Sequence, residues 1–76
     1  NSLKQNGDRR LRSEREKLYN RVRQLEQEVA TLENNIGFFS KSKGAEALIA
    51  EVEEKIAKTK REIADTIAKI RLIDGE

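Results

Sequence analysis

The sequence predicts an all-α chain: an antiparallel two-helix coiled-coil hairpin, with surface left over to dimerise into a four-helix bundle. Three observations predict it. Apolar residues recur in alternating steps of four and three through both halves of the chain, the rhythm of a helix carrying one narrow apolar seam. The single interruption, residues 37–44, holds two glycines and two serines, which mark a turn. Of the 76 residues 39% are charged and 36% hydrophobic, and none is proline, as in long helices whose charges flank a seam. High charge also suits a disordered chain, but the net charge of only +2 and the strong periodicity argue against that.

Residues 1–7, with Asn1, Ser2, Asn6 and Gly7, read as a frayed lead-in, and Asp8 as an N-cap. The first helix is expected over 8–36. Leu11, Leu18, Leu25, Leu32 and Phe39 share one heptad row, and Arg15, Val22, Val29 and Ile36 share the other. Asn34, Asn35 and Gly37 are poor helix formers and place its end near Ile36.

In the turn, Ser42 is the expected cap of the second helix and Gly44 is placed in its first turn. Phe38 and Phe39, the only two phenylalanines, have two readings: a plug over the open end of the seam, or an exposed docking site. The second helix is expected over 45–73. Ile49, Ile56, Ile63 and Ile70 form one row, with Val52, Thr59, Thr66 and Ile73 as its companion, and Ala50, Ala57 and Ala64 as a small-residue shoulder. Asp74 and Gly75 should end it, with 74–76 as a tail.

Folding the chain at its turn brings the two seams together, since short connections join antiparallel neighbours. With the turn at 37–44, Leu32 should meet Ile49, Val29 should meet Val52, and Leu25 should meet Ile56. Val22 then meets Thr59, Leu18 meets Ile63, and Leu11 meets Ile70. The polar Arg15 and Thr66 would share one layer. A parallel two-stranded coil is the competing arrangement, because the first helix puts β-branched residues in one row and leucine in the other. It would need an unbroken helix through both glycines.

Several function classes are excluded or disfavoured. Without cysteine or histidine, the chain lacks the common nucleophiles and metal ligands, and a two-helix rod gives its carboxylates no dry pocket in which to act. Gly37 and Gly44 lack the spacing and the lysine–serine ending of a phosphate loop. No enzyme activity, catalytic residue, metal or cofactor is therefore expected. No stretch of about 18 apolar residues exists to span a membrane, and no secretory apolar region is present. The start at Asn1-Ser2, without methionine, suggests a piece of something longer.

Charge is unevenly laid out. Residues 1–23 carry eight basic and three acidic side chains, residues 24–54 two and seven, and residues 55–76 six and four. A hairpin gathers both basic portions at its open end. Arg9, Arg10 and Arg12, with Arg15, Arg21, Arg23, Lys4 and Lys17 nearby, are the candidate phosphate contacts. No aromatic interleaving or nucleic-acid module accompanies them. Ordinary pairing with Glu14, Glu16 and Glu26, or an acidic protein partner, accounts for them equally.

The stretch Leu32-Glu33-Asn34-Asn35-Ile36-Gly37-Phe38-Phe39-Ser40, followed by Lys41-Ser42-Lys43-Gly44, resembles the C-terminal segment of Bacteroidetes proteins built from repeated helical domains of unknown function, the family numbered 349. There a similar asparagine-asparagine-aliphatic-glycine-phenylalanine-phenylalanine turn precedes a second amphipathic helix. The likeness covers roughly residues 20–73 and is specific only in the turn. It implies a cytoplasmic bacterial protein and a tail lying after several helical repeats, and it carries over no functional residue. The arginine-rich start departs from the resemblance.

The expected role is a structural or protein–protein interaction module within a larger bacterial protein. Its expected partners are a second copy or the rest of the parent chain, met through Ile67, Leu72, Leu48 and the alanine shoulder. Nucleic-acid binding by the basic open end is the alternative.

Overall fold

A heptad seam on each helix can be covered only by another helix, and this chain covers one with the other. The computed structural model describes the backbone of residues 2–75 and the side chains of residues 10–75. It contains α1, Ser2–Phe39, and α2, Glu46–Ile73, packed antiparallel as a rod of 65 × 16 × 13 Å. At 1.5 Å per residue the 38 residues of α1 span about 57 Å and the 28 of α2 about 42 Å. The first turns of α1 therefore run on past the end of α2.

Both ends of α1 differ from expectation. The helix begins at Ser2, not Asp8, so Asp8 lies inside it and is not a cap. Once a helix is nucleated each further residue adds one hydrogen bond, and Leu3, Lys4 and Gln5 include no residue that stops propagation. Gly7 costs roughly 1 kcal/mol and interrupts nothing.

At the other end the helix passes through Gly37 to Phe39, because the capping bonds are available there. The Ser40 N–H donates to the Ile36 carbonyl at 2.9 Å, and the Ser42 N–H to the Phe39 carbonyl at 2.9 Å. The Ser40 hydroxyl donates to the Gly37 carbonyl at 2.9 Å. Carbonyls of the last turn are thereby satisfied, and Ile36 and Phe39 are half-buried.

The turn is therefore 40–45. Gly44 is not in the second helix: its φ of +78° is the left-handed conformation that a side chain disfavours, and it redirects the chain. Nor is Ser42 the cap. Ala45 is the N-cap, with no side-chain cap bond, and its carbonyl accepts the Ile49 N–H at 2.8 Å. Glu46 stands in the first turn of α2, where the helix dipole favours an acid. Asp74 and Gly75 end α2 as expected, Gly75 with φ +83° and its N–H bonded to the Leu72 carbonyl at 3.2 Å, a glycine termination.

The core is the seam. Val22, Leu25, Val29, Ile56 and Ile70 are buried, Leu25 at 1% exposure. Thr59 and Thr66 are buried too, and each hydroxyl donates to the carbonyl four residues back, at 2.8 Å to Lys55 and 2.7 Å to Glu62. That local bond leaves only methyl surface facing the neighbouring helix, so a threonine here needs no polar partner across the seam.

The register corrects the expected pairing. Cross-helix ion pairs join Arg21 to Glu62 at 2.7 Å, Glu33 to Lys60 at 3.9 Å and Arg15 to Asp74 at 2.8 Å. These place α2 one heptad from the expected alignment. Leu25 lies opposite Ile63 rather than Ile56, Val22 opposite Thr66, Leu32 opposite Ile56, Leu18 opposite Ile70, and Phe39 opposite Ile49. Arg15 meets Ile73 and Asp74, not Thr66. Leu11 lies beyond Ile70, beside Ile73 and Asp74, and is exposed.

The ion pairs distinguish the two alignments. With Leu25 opposite Ile63, Arg15 stands nearly level with Asp74 and Glu33 within side-chain reach of Lys60. Shifted by seven residues, Lys60 would stand about 18 Å along the rod from Glu33, beyond the reach of either side chain. Arg21 and Glu62 can meet in both alignments. The apolar rows repeat every seven residues and fit either way; the extended α1 and the Arg15–Asp74 and Glu33–Lys60 pairs fit only one.

Candidate interaction surfaces

The expected interaction residues fall in three separate places. Arg10 and Arg12 are exposed at the open end, on the part of α1 that outruns or just meets the tip of α2. The side chain of Arg9 lies outside the described residues. Phe38 and Phe39 sit at the turn end, the far end of the rod. Ile67 lies on one flank near the open end. No arrangement of the hairpin brings these three sets together.

The arginines divide by role. Arg15 donates through Nη1 to Asp74 Oδ1, a bond that raises the Arg15 pKa, with the charge of Asp74 adding to it. Arg21 is held by Glu62, and Arg23 donates to the Asn20 side chain one turn back. Lys17 approaches Glu14 at 3.8 Å. These bonds are exposed, so water screens their charges and each adds little to stability. The Arg15–Asp74 and Arg21–Glu62 pairs cross from α1 to α2, and the first of them favours one register of the two helices; the other two lie within α1.

The phenylalanines split. Phe39 is half-buried at the end of the seam, as a plug would be. Phe38 is 80% exposed and lines a shallow surface hollow with Gly37, Lys41 and Ser42. The reason is angular. Successive helix residues point 100° apart, so with Phe39 in the seam row Phe38 must face outward.

The two flanks of the rod are unlike. One carries the charged series through Arg21 and Glu62. The other, near the open end, carries an apolar hollow of about 350 Å³ lined by Tyr19, Val22, Ile67, Ile70, Arg71 and Asp74. Tyr19 is 47% exposed and Ile67 36%. Charged groups surround them: Glu16, Arg23 and Glu26 line a contiguous hollow with Tyr19 and Val22. Sequence reasoning found Ile67 and missed Tyr19. The signal was present, since each is the residue immediately after a seam position, Tyr19 after Leu18 and Ile67 after Thr66. That places both on the same flank of an antiparallel pair.

Among the described residues no three acidic side chains converge as a metal site would require, and no helix is long and apolar enough to cross a membrane. Compared with protein-family models, curated proteins and solved structures, the chain has no match. Its fold class is an all-α antiparallel hairpin.

Proposed function

We propose that this chain is a non-catalytic structural module, an antiparallel coiled coil that joins protein to protein within a larger bacterial protein. Self-association is its first mode of contact, two hairpins forming a four-helix bundle. The observation that carries this is the Tyr19–Ile67 hollow: apolar side chains stand exposed over buried seam residues, on a rod whose single seam leaves Leu18, Leu32, Ile49, Val52 and Ile63 only half-covered. Covering such surface contributes about 25 cal/mol per Å², and closed two-fold pairing is the commonest means. The resemblance of the turn sequence to the family numbered 349 supports the same placement, as the cytoplasmic tail of a helical-repeat protein.

Sedimentation equilibrium over a hundredfold concentration range tests it. The mass should rise from the monomer's 8.7 kDa toward twice that value. A mass that stays at the monomer value throughout removes self-association and leaves the parent chain as the partner.

Nucleic-acid binding is the second reading, and one observation favours it: the arginine-rich start of α1 runs clear of α2. Labelled duplex and single strands, titrated at two salt concentrations, decide it. Micromolar binding that weakens steeply with salt and is lost on changing Arg9, Arg10 and Arg12 would support this reading. Salt-insensitive or absent binding removes it.

A further inference from the structure

From the layout of the Tyr19–Ile67 flank we infer that the occupant of this face is a second copy of the chain, related by a two-fold axis parallel to the rod, so that α1 of each copy lies on α2 of the other. The inference rests on the self-association reading above and specifies its geometry.

Heights along the rod decide the geometry. The observed register puts Tyr19 and Ile67 at nearly the same height, with their hollow between them. A two-fold axis along the rod keeps heights unchanged and exchanges the helices. Tyr19 of one copy then meets Ile67 of the other, twice by symmetry, and each pair closes over a hollow floored by Val22 and Ile70. The charges on this flank follow the same exchange. Glu16 stands level with Arg71, and Glu26 nearly level with Lys60, so each acid on α1 meets a base on the partner's α2. Ala30 stands level with Ala57 and obstructs nothing.

The alternative two-fold axis runs across the rod and reverses heights. Centred on the same hollow, it sets Glu16 against Glu26 of the partner, a repulsive pair, and loses the match to Arg71; the Lys60–Asp74 pair it would bring together adds little, because Arg15 already holds Asp74. Charge complementarity therefore selects the parallel arrangement. One pair opposes it: toward the turn, Glu33 faces Glu53. The contact is accordingly centred on the open-end half, where Asp74 is already engaged by Arg15 and the remaining charges match.

Two charge-reversed chains test this. The first carries Glu16→Arg with Glu26→Lys; the second carries Arg71→Glu with Lys60→Glu. Each alone should place like charges at every matched pair and weaken self-association at least about tenfold. An equimolar mixture should restore association to near the original affinity, as a heterodimer, because each reversed α1 then meets a reversed α2. Circular dichroism on every sample establishes that the hairpin is intact. Tyr19→Ser, which alters no charge, should also weaken association while helicity holds. If the unaltered chain associates but the reversed chains associate equally well, or the mixture is no tighter than its components, this geometry is overturned and self-association stands. If the unaltered chain stays monomeric, both fall.

Discussion

The middle of the rod and its turn end are built from the same kinds of residue and reach opposite outcomes. In the middle, Leu25 is 1% exposed between Val22 and Val29, which are also buried. At the turn end Phe38, a larger apolar side chain, is 80% exposed. A two-helix seam can bury only what points along one line, so angle on the helix, not hydrophobicity, decides burial. The turn end also holds the features that set alignment: an α1 prolonged to Phe39, a left-handed glycine, and a short turn.

The contrast is sharpest in truncations. Leu25→Ala should cost roughly 2–4 kcal/mol, the price of a buried leucine and the void it leaves. Phe38→Ala should change stability by less than about 0.5 kcal/mol, as an exposed position does, and Gln27→Ala likewise. Thermal or urea melts compare them directly. A loss at Phe38 as large as that at Leu25 would mean that the turn end is packed against something the isolated hairpin does not show.

The two turn-end glycines supply the next effects, with opposite signs. Gly44 has a positive φ, so Gly44→Ala should cost about 1–2 kcal/mol in backbone strain alone, no atom lying within 4 Å of the new methyl group. Gly37 is helical and equally uncrowded. Gly37→Ala should therefore stabilise by about 0.4–1 kcal/mol, by narrowing the unfolded ensemble and favouring the helix. Two substitutions of the same sign in chemical denaturation would show that the turn has been placed at the wrong glycine.

That pair also shows what was legible in the sequence. Helix, turn and helix follow from heptad spacing and from Gly37 to Gly44, because periodicity reports which residues share a line. Composition treats both glycines as breakers, whereas only Gly44 breaks anything. The helix continues through Gly37 because capping bonds await it at Ser40 and Ser42. Seam pairing was legible only modulo seven: Leu25 fits Ile56 and Ile63 alike, since both are isoleucines in the same row. The coincidence of Arg15 with Thr66 misled, because a threonine bonded to its own helix asks for no polar neighbour. Of the flanking charges, Glu33 with Lys60 and Arg15 with Asp74 hold the answer, since a shift of one heptad takes both pairs out of reach. Of the interaction surface, Ile67 was readable as an apolar residue off the seam; Tyr19 became meaningful only once the register put it beside Ile67.

The smallest expected effect tests the register itself. Arg21 and Glu62 are both about half exposed, at 49% and 50% of their side-chain surface, so their attraction is screened by water. A double-mutant cycle of Arg21→Ala with Glu62→Ala should give a favourable coupling of about 0.2–1 kcal/mol, shrinking as salt is raised. The informative control is a second cycle, Glu33→Ala with Lys60→Ala, whose charged groups approach at 3.9 Å. It should give a similarly weak, salt-sensitive coupling. Shifting α2 by one heptad, to the alignment that pairs Leu25 with Ile56, would carry Lys60 about 10 Å further along the rod from Glu33. That coupling would then vanish, while Arg21 and Glu62 stay within reach of each other. The second cycle thus separates the two registers. The apolar seam is nearly indifferent to the shift, so these weak surface pairs, and not the core, report where one helix stops along the other.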